Sequence, residues 1–451
     1  MESSHSVVHA MFILKAMILL LGGGLASLYV TSRLRVPDIA IYLLLGMLLG
    51  PAALGVVRIP SDSTTNQLLL AFGAATLLFE GGMTVRFAVL RRVLLSVVSL
   101  ATVGVAVTAA ITAVAAHQFL HLDWLSALLM AAVIAATDPA TLVPVFRQVK
   151  IREHVEQAVV TESAFNDATA AILTFSVLGI VLGSGDFTWG GAVLGLAWQA
   201  LGGGLIGCVM AYVAGSGVSR LEWLKGHEPV LLPLLIAGSY LCATDGVVAV
   251  GELLHLDVVP ASGFMAVFCC GLVFGNASSL GLHVPEGHLD EMHSFLGHAA
   301  LMLRMCIFLL LGSQVDFPVL ATYWVPALGV VLVFMLLARP ATVLVSCLPD
   351  RWAKWERNEL LFMFWTRETG VIPAALAGFL SAALTHKGHV LLASGDTAQA
   401  EAAEALLKLG PMISAVTFTA ILLTILLQAT TTRWLAGRLG ILREGGVQPQ
   451  S

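Results

Sequence analysis

Thr161-Glu162-Ser163-Ala164-Phe165-Asn166-Asp167 places two acids, an amide and two hydroxyls within seven residues, and Ala168-Thr169-Ala170-Ala171-Ile172-Leu173 follows at once. One apolar segment earlier, Thr137-Asp138-Pro139-Ala140-Thr141 puts another acid amid hydrocarbon-like sequence. Carboxylates are costly at membrane depth, so an acid there faces a cavity or a partner and is read first as functional. Pro139 lacks a backbone donor and biases Asp138 away from helix. A broken helix beside a polar helix, both deep in a bundle, is how many secondary transporters build an ion site.

The composition agrees with that setting. Of 451 residues, 58% are hydrophobic and 11% charged, and the mean hydropathy is +0.91. Soluble domains carry about 25% charged residues, so the chain reads as an all-α polytopic membrane protein. The formal net charge of -5 says little, because position matters more than sum. Cys208, Cys242, Cys269, Cys270, Cys306 and Cys347 fall in or beside apolar segments without metal-ligand spacing and read as small packing residues. His288, His293 and His298 recur at a spacing that spreads around a helix, which argues against a metal site. The apolar stretch 11–32 carries Lys15 and exceeds the usual signal-peptide core, so it reads as a first membrane helix.

Apolar runs long enough to cross a bilayer give about thirteen spans, at 11–32, 37–57, 66–85, 92–116, 123–147, 154–183, 188–219, 229–253, 259–276, 289–315, 318–347, 357–384 and 410–436. The segment 385–409, with His386, Lys387, His389, Asp396, Glu401 and Glu404, reads as a solvated external connection. On this count sixteen of the 23 basic residues collect on one side and three on the other, with Lys15, Arg304, Arg339 and Arg367 inside spans. Basic residues favour the cytoplasmic side, so the N-terminus is expected outside and the C-terminus inside. An odd count also permits two inverted six-helix repeats around a single crossing. The fifth span of the first six holds Thr137-Asp138-Pro139; its counterpart holds Thr366-Arg367-Glu368-Thr369-Gly370, with Pro373 just beyond. Both are expected to unwind at mid-span. Gly46 and Gly50, Gly22-Gly23-Gly24 and Gly202-Gly203-Gly204 read as close helix contacts.

Asp167 is the first choice for an ion-binding and proton-exchanging carboxylate. It shares a helix face with Ser163, one turn away. An oxygen cluster suits a hard cation, Na⁺ or Li⁺ and less selectively K⁺. A carboxylate that holds either a proton or a cation enforces exchange. Unwinding at Thr137 would free backbone carbonyls as further ligands, while Asp138 either holds water or helix ends or simply caps a kink. Glu162 needs a cation if ionised, and Arg367 is the expected partner, a clamp between the halves. Glu368 is a second acid beside that arginine. Glu80, in Phe79-Glu80-Gly81-Gly82-Met83, fits an inner vestibule and an interface position equally well. Arg304 and Arg339 fit either ion pairs, with Asp245 or Glu252 among the acids within reach, or snorkelling to the interface.

At these positions the sequence resembles the monovalent cation/proton antiporters of the NhaP and NHE type. The resemblance rests on Phe79-Glu80-Gly81-Gly82, Thr137-Asp138-Pro139, Glu162-Ser163 with Asn166-Asp167, and Arg367, in the family's order over most of the chain. It implies a homodimer of thirteen-helix protomers, each with a six-helix core in which two unwound helices cross. It divides the chain into 1–91, first dimerisation helices; 92–183, core helices of the first repeat; 184–316, a linker helix and further dimerisation helices; 317–436, core helices of the second repeat; and 437–451, a short cytoplasmic tail. By the same resemblance Na⁺ binds at Asp167, Ser163 and the backbone oxygen of Thr137, with an indirect part for Asp138. Asn166, Glu162, Arg367 and Glu368 are supporting residues, and Glu80 reaches the site from inside. Asn166-Asp167 resembles the electroneutral branch, one proton for one cation. Glu368, where many relatives have glycine, departs from the pattern and adds a charge.

The resulting expectation is a Na⁺/H⁺ exchanger, not an enzyme, in a bacterial inner membrane, with no cofactor beyond its transported ions and no nucleic-acid partner. A K⁺/H⁺ exchanger of the same fold is the alternative. A cation channel needs a continuous pore. An intramembrane aspartyl protease needs two aspartates sharing a proton, for which Asp138 and Asp167 are the available pair.

Overall fold

The computed structural model describes residues 2–34, 38–137, 146, 151–183, 189–220, 228–256, 258–281, 286–393 and 397–442. Among these the architecture is helical. In chain order the helices are α1 (Glu2–Leu34), α2 (Asp38–Leu49), α3 (Thr64–Thr84), α4 (Phe87–Ala101), α5 (Val103–Leu120), α6 (Trp124–Ala135), α7 (Glu153–Val181), α8 (Trp189–Arg220) and α9 (Glu228–Leu241). There follow α10 (Val247–Leu253), α11 (Gly263–Gly275), α12 (Glu286–Ser313), α13 (Phe317–Val333), α14 (Arg339–Cys347), α15 (Arg357–Trp365), α16 (Val371–Ala393), α17 (Thr397–Thr424) and α18 (Thr430–Leu439). Among the described residues eight helices are long and apolar enough to cross a membrane.

Local sequence sets where helices begin. Ser63, Asp123, Ser262 and Asp316 each accept a hydrogen bond from a first-turn amide of α3, α6, α11 and α13, which satisfies donors the helix leaves open. Glu356 and Glu359 form a reciprocal capping box at α15. Single π-helical turns, Cys242–Gly246, Phe334–Ala338 and Ile425–Ala429, interrupt three long helices without ending them. The second lies just before Arg339-Pro340, where proline withdraws a ladder donor and wider winding absorbs the loss.

Two helices stop inside the bundle, as their prolines and charges suggest. α6 ends at Ala135 and Ala136 is extended, so the break begins just before Asp138-Pro139, which lie outside the described residues. α15 ends at Trp365, residues 366–370 carry no helix, and α16 restarts at Val371. Pro373 falls in the first turn of α16, where its missing amide costs nothing.

The expected solvated loop at 385–409 is a correction. α16 runs to Ala393 and α17 starts at Thr397. Gln399-Ala400-Glu401-Ala402-Ala403-Glu404-Ala405-Leu406 is built from strong helix formers, and Lys408 pairs with Glu404 one turn earlier at 3.3 Å. The two helices pack against each other. Cys242 is also exposed rather than packed, while Cys270, Cys306 and Cys347 are buried.

Glycines decide the closest approaches. Gly46 of α2 and Gly50 just past its end lie against backbone of Leu309, Gly312 and Ser313 on α12, as their spacing suggests. Gly82 meets Phe268 O while Gly271 and Gly275 meet Phe79 O and Met83 O, which locks α3 to α11. A β-carbon at these positions would collide with main chain, so only glycine permits the contact. Outward faces stay apolar: Leu194, Leu201, Leu205 and Tyr212 of α8 are exposed, a stripe that would be costly in water and is ordinary against hydrocarbon.

Candidate functional site

α7 carries Thr161, Glu162, Ser163, Asn166 and Asp167 through the centre of the bundle, all buried, with Asp167 retaining 8% exposure. The interrupted end of α6 lies against this face. Each polar group of Thr137 is bound by α7. Ser163 Oγ donates to Thr137 O at 2.7 Å, Asn166 Nδ2 donates to Thr137 Oγ1 at 2.8 Å, and Thr137 N donates to Asn166 Oδ1 at 3.2 Å. Asn166 Oδ1 and Ser163 Oγ thus stand in for the ladder partners of the Thr137 amide and carbonyl where the helix stops. Ser163 and Asn166 hold the unwound strand beside Asp167, one turn along the same helix. The structure brings Thr137, Ser163, Asn166 and Asp167 together; Asp138 lies outside the described residues.

The arginines correct one expectation. Glu162 is paired with Arg339, not Arg367. Arg339 Nη1 and Nη2 both reach the Glu162 carboxylate, the second at 3.0 Å. Its Nε donates to Met363 O at 2.8 Å and Nη2 also donates to Thr366 O at 3.2 Å. These carbonyls belong to the end of α15, so Arg339 neutralises Glu162 and caps a half-helix at once. Arg367 does the same for the other broken helix: Nη2 donates to Ala135 O at 2.6 Å, at the end of α6. Its Nη1 donates to Thr108 Oγ1 at 2.8 Å, and the guanidinium lies over the Phe334 ring, 4.9 Å from its centre. Helix C-termini present unsatisfied carbonyls and a negative dipole end, which a buried cation offsets. Arg367 sits in the non-helical stretch 366–370 facing α6, and that placement directs it to carbonyl oxygens. The pair that Glu162 makes across the two halves of the chain is with Arg339 in place of Arg367. Arg339 had a sequence signal, an arginine before proline inside an apolar run.

Glu368 is buried beside the same break, and Thr369 N donates to Thr424 Oγ1 at 3.2 Å. Glu80 lies on α3 next to Gly81, where an added β-carbon would touch Ala164 Cβ of α7 at 3.5 Å. Its carboxylate faces Arg304 Nη2 of α12 at 3.8 Å. Asp245 and Glu252, considered as partners for the buried arginines, are both exposed. Among the described residues no group of three or more His, Cys, Asp or Glu is arranged to hold a metal ion.

A second polar junction has no signal in the sequence. Arg152 Nη1 reaches Glu356 at 2.7 Å and Glu359 at 2.9 Å, and His154 Nε2 reaches Glu359 at 2.8 Å. It ties the start of α7 to the start of α15. Nearby, Ser96 Oγ and N donate to Asp350 Oδ2 at 2.7 and 3.0 Å, and Trp352 N and Ala353 N donate to Oδ1, both at 3.1 Å. Burial alone would raise the Asp350 carboxyl, but these donors hold it below its ordinary value.

The chain is similar to known proteins in sequence and fold. The profile described as sodium/hydrogen exchanger, transmembrane, matches residues 17–438. The chain is 31% identical over 369 residues to Na(+)/H(+) antiporter 1 of Methanocaldococcus jannaschii, covering 80% of each. It is 30% identical to the K(+)/H(+) antiporter NhaP of Alkalimonas amylolytica, covering 79% of this chain and 58% of that one. The structure of the sodium proton antiporter MjNhaP1 from Methanocaldococcus jannaschii at pH 8 superposes with a TM-score of 0.81 at 28% identity, over 95% of this chain and 99% of that one. Apolar spans, interrupted helices and these matches together make this an integral membrane protein, and the chain belongs to the transmembrane sodium/hydrogen exchanger family.

Proposed function

We propose that the protein exchanges Na⁺, and Li⁺ in its place, for H⁺ with one-to-one stoichiometry, and that Asp167 carries both. The observation behind this reading is the unwound Thr137 held by Ser163 and Asn166 one turn from a buried carboxylate. Ser163 Oγ and Thr137 O each keep a lone pair beyond their mutual hydrogen bond, so both can turn toward a cation next to Asp167. A cation offsets the carboxylate charge in that pocket as a proton does. Only one of them fits, so return of the empty site is disfavoured and the fluxes are coupled.

The wider reading is a thirteen-span protomer with two inverted repeats, paired as a homodimer with its N-terminus outside, in a bacterial inner membrane. Eight long apolar helices, four shorter ones and the interrupted pair α15–α16 support that count. In this scheme 92–183 and 317–436 form the moving core and 1–91 and 184–316 the fixed part, with 437–451 at the cytoplasmic face.

K⁺ is the second reading. Several relatives of about 30% identity are K(+)/H(+) antiporters, and Glu368 adds an acid beside the break. The test is cation-dependent dequenching of a pH dye in proteoliposomes, scanned over Li⁺, Na⁺ and K⁺. Asp167→Asn is expected to abolish the signal for every cation while thermal unfolding of the purified protein stays cooperative. Normal exchange by this variant would remove Asp167 from the role.

A further inference from the structure

Arg304 lies inside an apolar helix, and among the described residues the acid its guanidinium meets is Glu80 of α3. Glu80 Oε2 lies 3.8 Å from Nη2, the two side chains being 20% and 29% exposed. The pair is loose enough, and wet enough, to be opened by a competing ion. Arg304 Nε is buried and makes no hydrogen bond among the described residues, in contrast to Arg339 Nε, which is anchored on Met363 O. Titratable groups near it on α2 include Tyr42, which is fully buried and lies in the field of both Arg304 and Asp38. Glu80 in turn adjoins Gly81, which sits against Ala164, the residue after Ser163. Glu80 thus stands beside a point where α3 touches α7, one residue from Ser163, and is already engaged by an arginine.

We propose that Arg304 sets the cation affinity of the exchange site by occupying Glu80, so that an incoming monovalent cation competes with the guanidinium for that carboxylate. The inference rests on the reading of Asp167 as the exchanging group. Arg304 does not touch the ion's final position; it is a positioning residue that works through Glu80. Its physical effect is a tax on entry: the cation displaces a like charge before it gains the carboxylate. Release to the same side is eased by the same competition, because the guanidinium reclaims Glu80 as the ion leaves. A weak, readily reversed interaction at the mouth suits a carrier that must load and unload in each cycle.

The test is initial exchange rate against Na⁺ and Li⁺ concentration in proteoliposomes for Arg304→Gln, Arg304→Met and Arg304→Lys, alone and with Glu80→Gln. Arg304→Met keeps an apolar stem for packing, so failure of one neutral variant to assemble leaves the other to be read. Both neutral variants are expected to lower KM about tenfold while kcat changes much less, and Arg304→Lys to stay near the parent, a tenfold step being one decade in binding constant. With Glu80→Gln present, neutralising Arg304 should leave KM nearly unmoved. A KM unchanged in the neutral variants, or lowered equally with and without Glu80, overturns the proposal. Asp167→Asn in the same assay separates the two readings: if it still exchanges, the site itself is misplaced, whereas its inactivity with a flat Arg304 series rejects only the competition.

Discussion

At Glu162 a carboxylate with 3% exposure receives both terminal nitrogens of Arg339, and the remaining donors of that guanidinium go to carbonyls at the end of α15. Removing one member of such a group leaves a charge stranded out of water, which costs about 3–5 kcal/mol, whereas removing both at once costs far less. Glu162→Gln is therefore expected to lower the thermal midpoint sharply, and Arg339→Met added to it should recover part of the loss. Arg367→Met added to Glu162→Gln should instead deepen it, because Arg367 serves Ala135 O and Thr108. A double-mutant cycle reads this directly. Coupling of Glu162 to Arg367 rather than Arg339 would return the clamp to its first assignment. That assignment was reasonable from residue order alone, since both arginines lie in apolar runs. What decides between them is which helix end each one faces, and helix ends in space are invisible along a chain.

The breaks in α6 and before α16 are elements legible from residue chemistry, because Pro139, Pro373 and the charges beside them cannot sit in an undisturbed apolar helix. The pairing of Thr137 with Asn166 is less so: an amide beside an aspartate does not announce that it will bind another segment's backbone. The helical pair across 385–409 was missed for the opposite reason. Its charges suggest a solvated loop, but alanine- and glutamate-rich sequence is helical in water too. The junction at Asp350 belongs to this scale as well, since it fastens α4 to the connection between α14 and α15. Its carboxyl is held below the ordinary value, so the sign is that of a depressed acid. The stability it contributes is present above the unfolded value, near about 3.9, and is lost as pH falls through the lower folded value. Asp350→Asn should lower the thermal midpoint at pH 7 and narrow the difference between parent and variant as pH falls below 4. An equal difference at both pH values would show that the carboxylate charge is irrelevant there.

Across the whole molecule, the glycine contacts sort by the proposed division into a moving core and a fixed part. Contacts in which glycine meets another helix's main chain fall inside one part: Gly46 with Leu309, Gly82 with Phe268, Gly271 with Phe79, Gly275 with Met83, Gly203 with Ser262 and Gly207 with Ala266 all join segments of 1–91 and 184–316. Gly410 against Ser381 likewise stays within 317–436. Across the two parts, among the glycines described, an added β-carbon would meet side chains: Ala164 Cβ at 3.5 Å from Gly81 and Leu70 Cδ1 at 2.5 Å from Gly378. Main chain wedged against main chain cannot slide without unpacking, whereas a β-carbon or a leucine tip can give way. The two classes should therefore respond differently to one added methyl. Gly271→Ala forces backbone apart and is expected to lower the thermal midpoint by the equivalent of about 1–3 kcal/mol, the usual cost of overpacking, with less exchange because less protein folds. Gly81→Ala adds a methyl at ordinary contact distance and should melt like the parent, while Gly81→Leu should slow exchange per folded molecule by crowding the surface along which α7 must travel. Thermal midpoint and exchange rate measured on the same preparations distinguish these outcomes. If Gly81→Leu exchanges at the parental rate, or Gly271→Ala is as stable as the parent, then α3 is not the rail against which α7 moves.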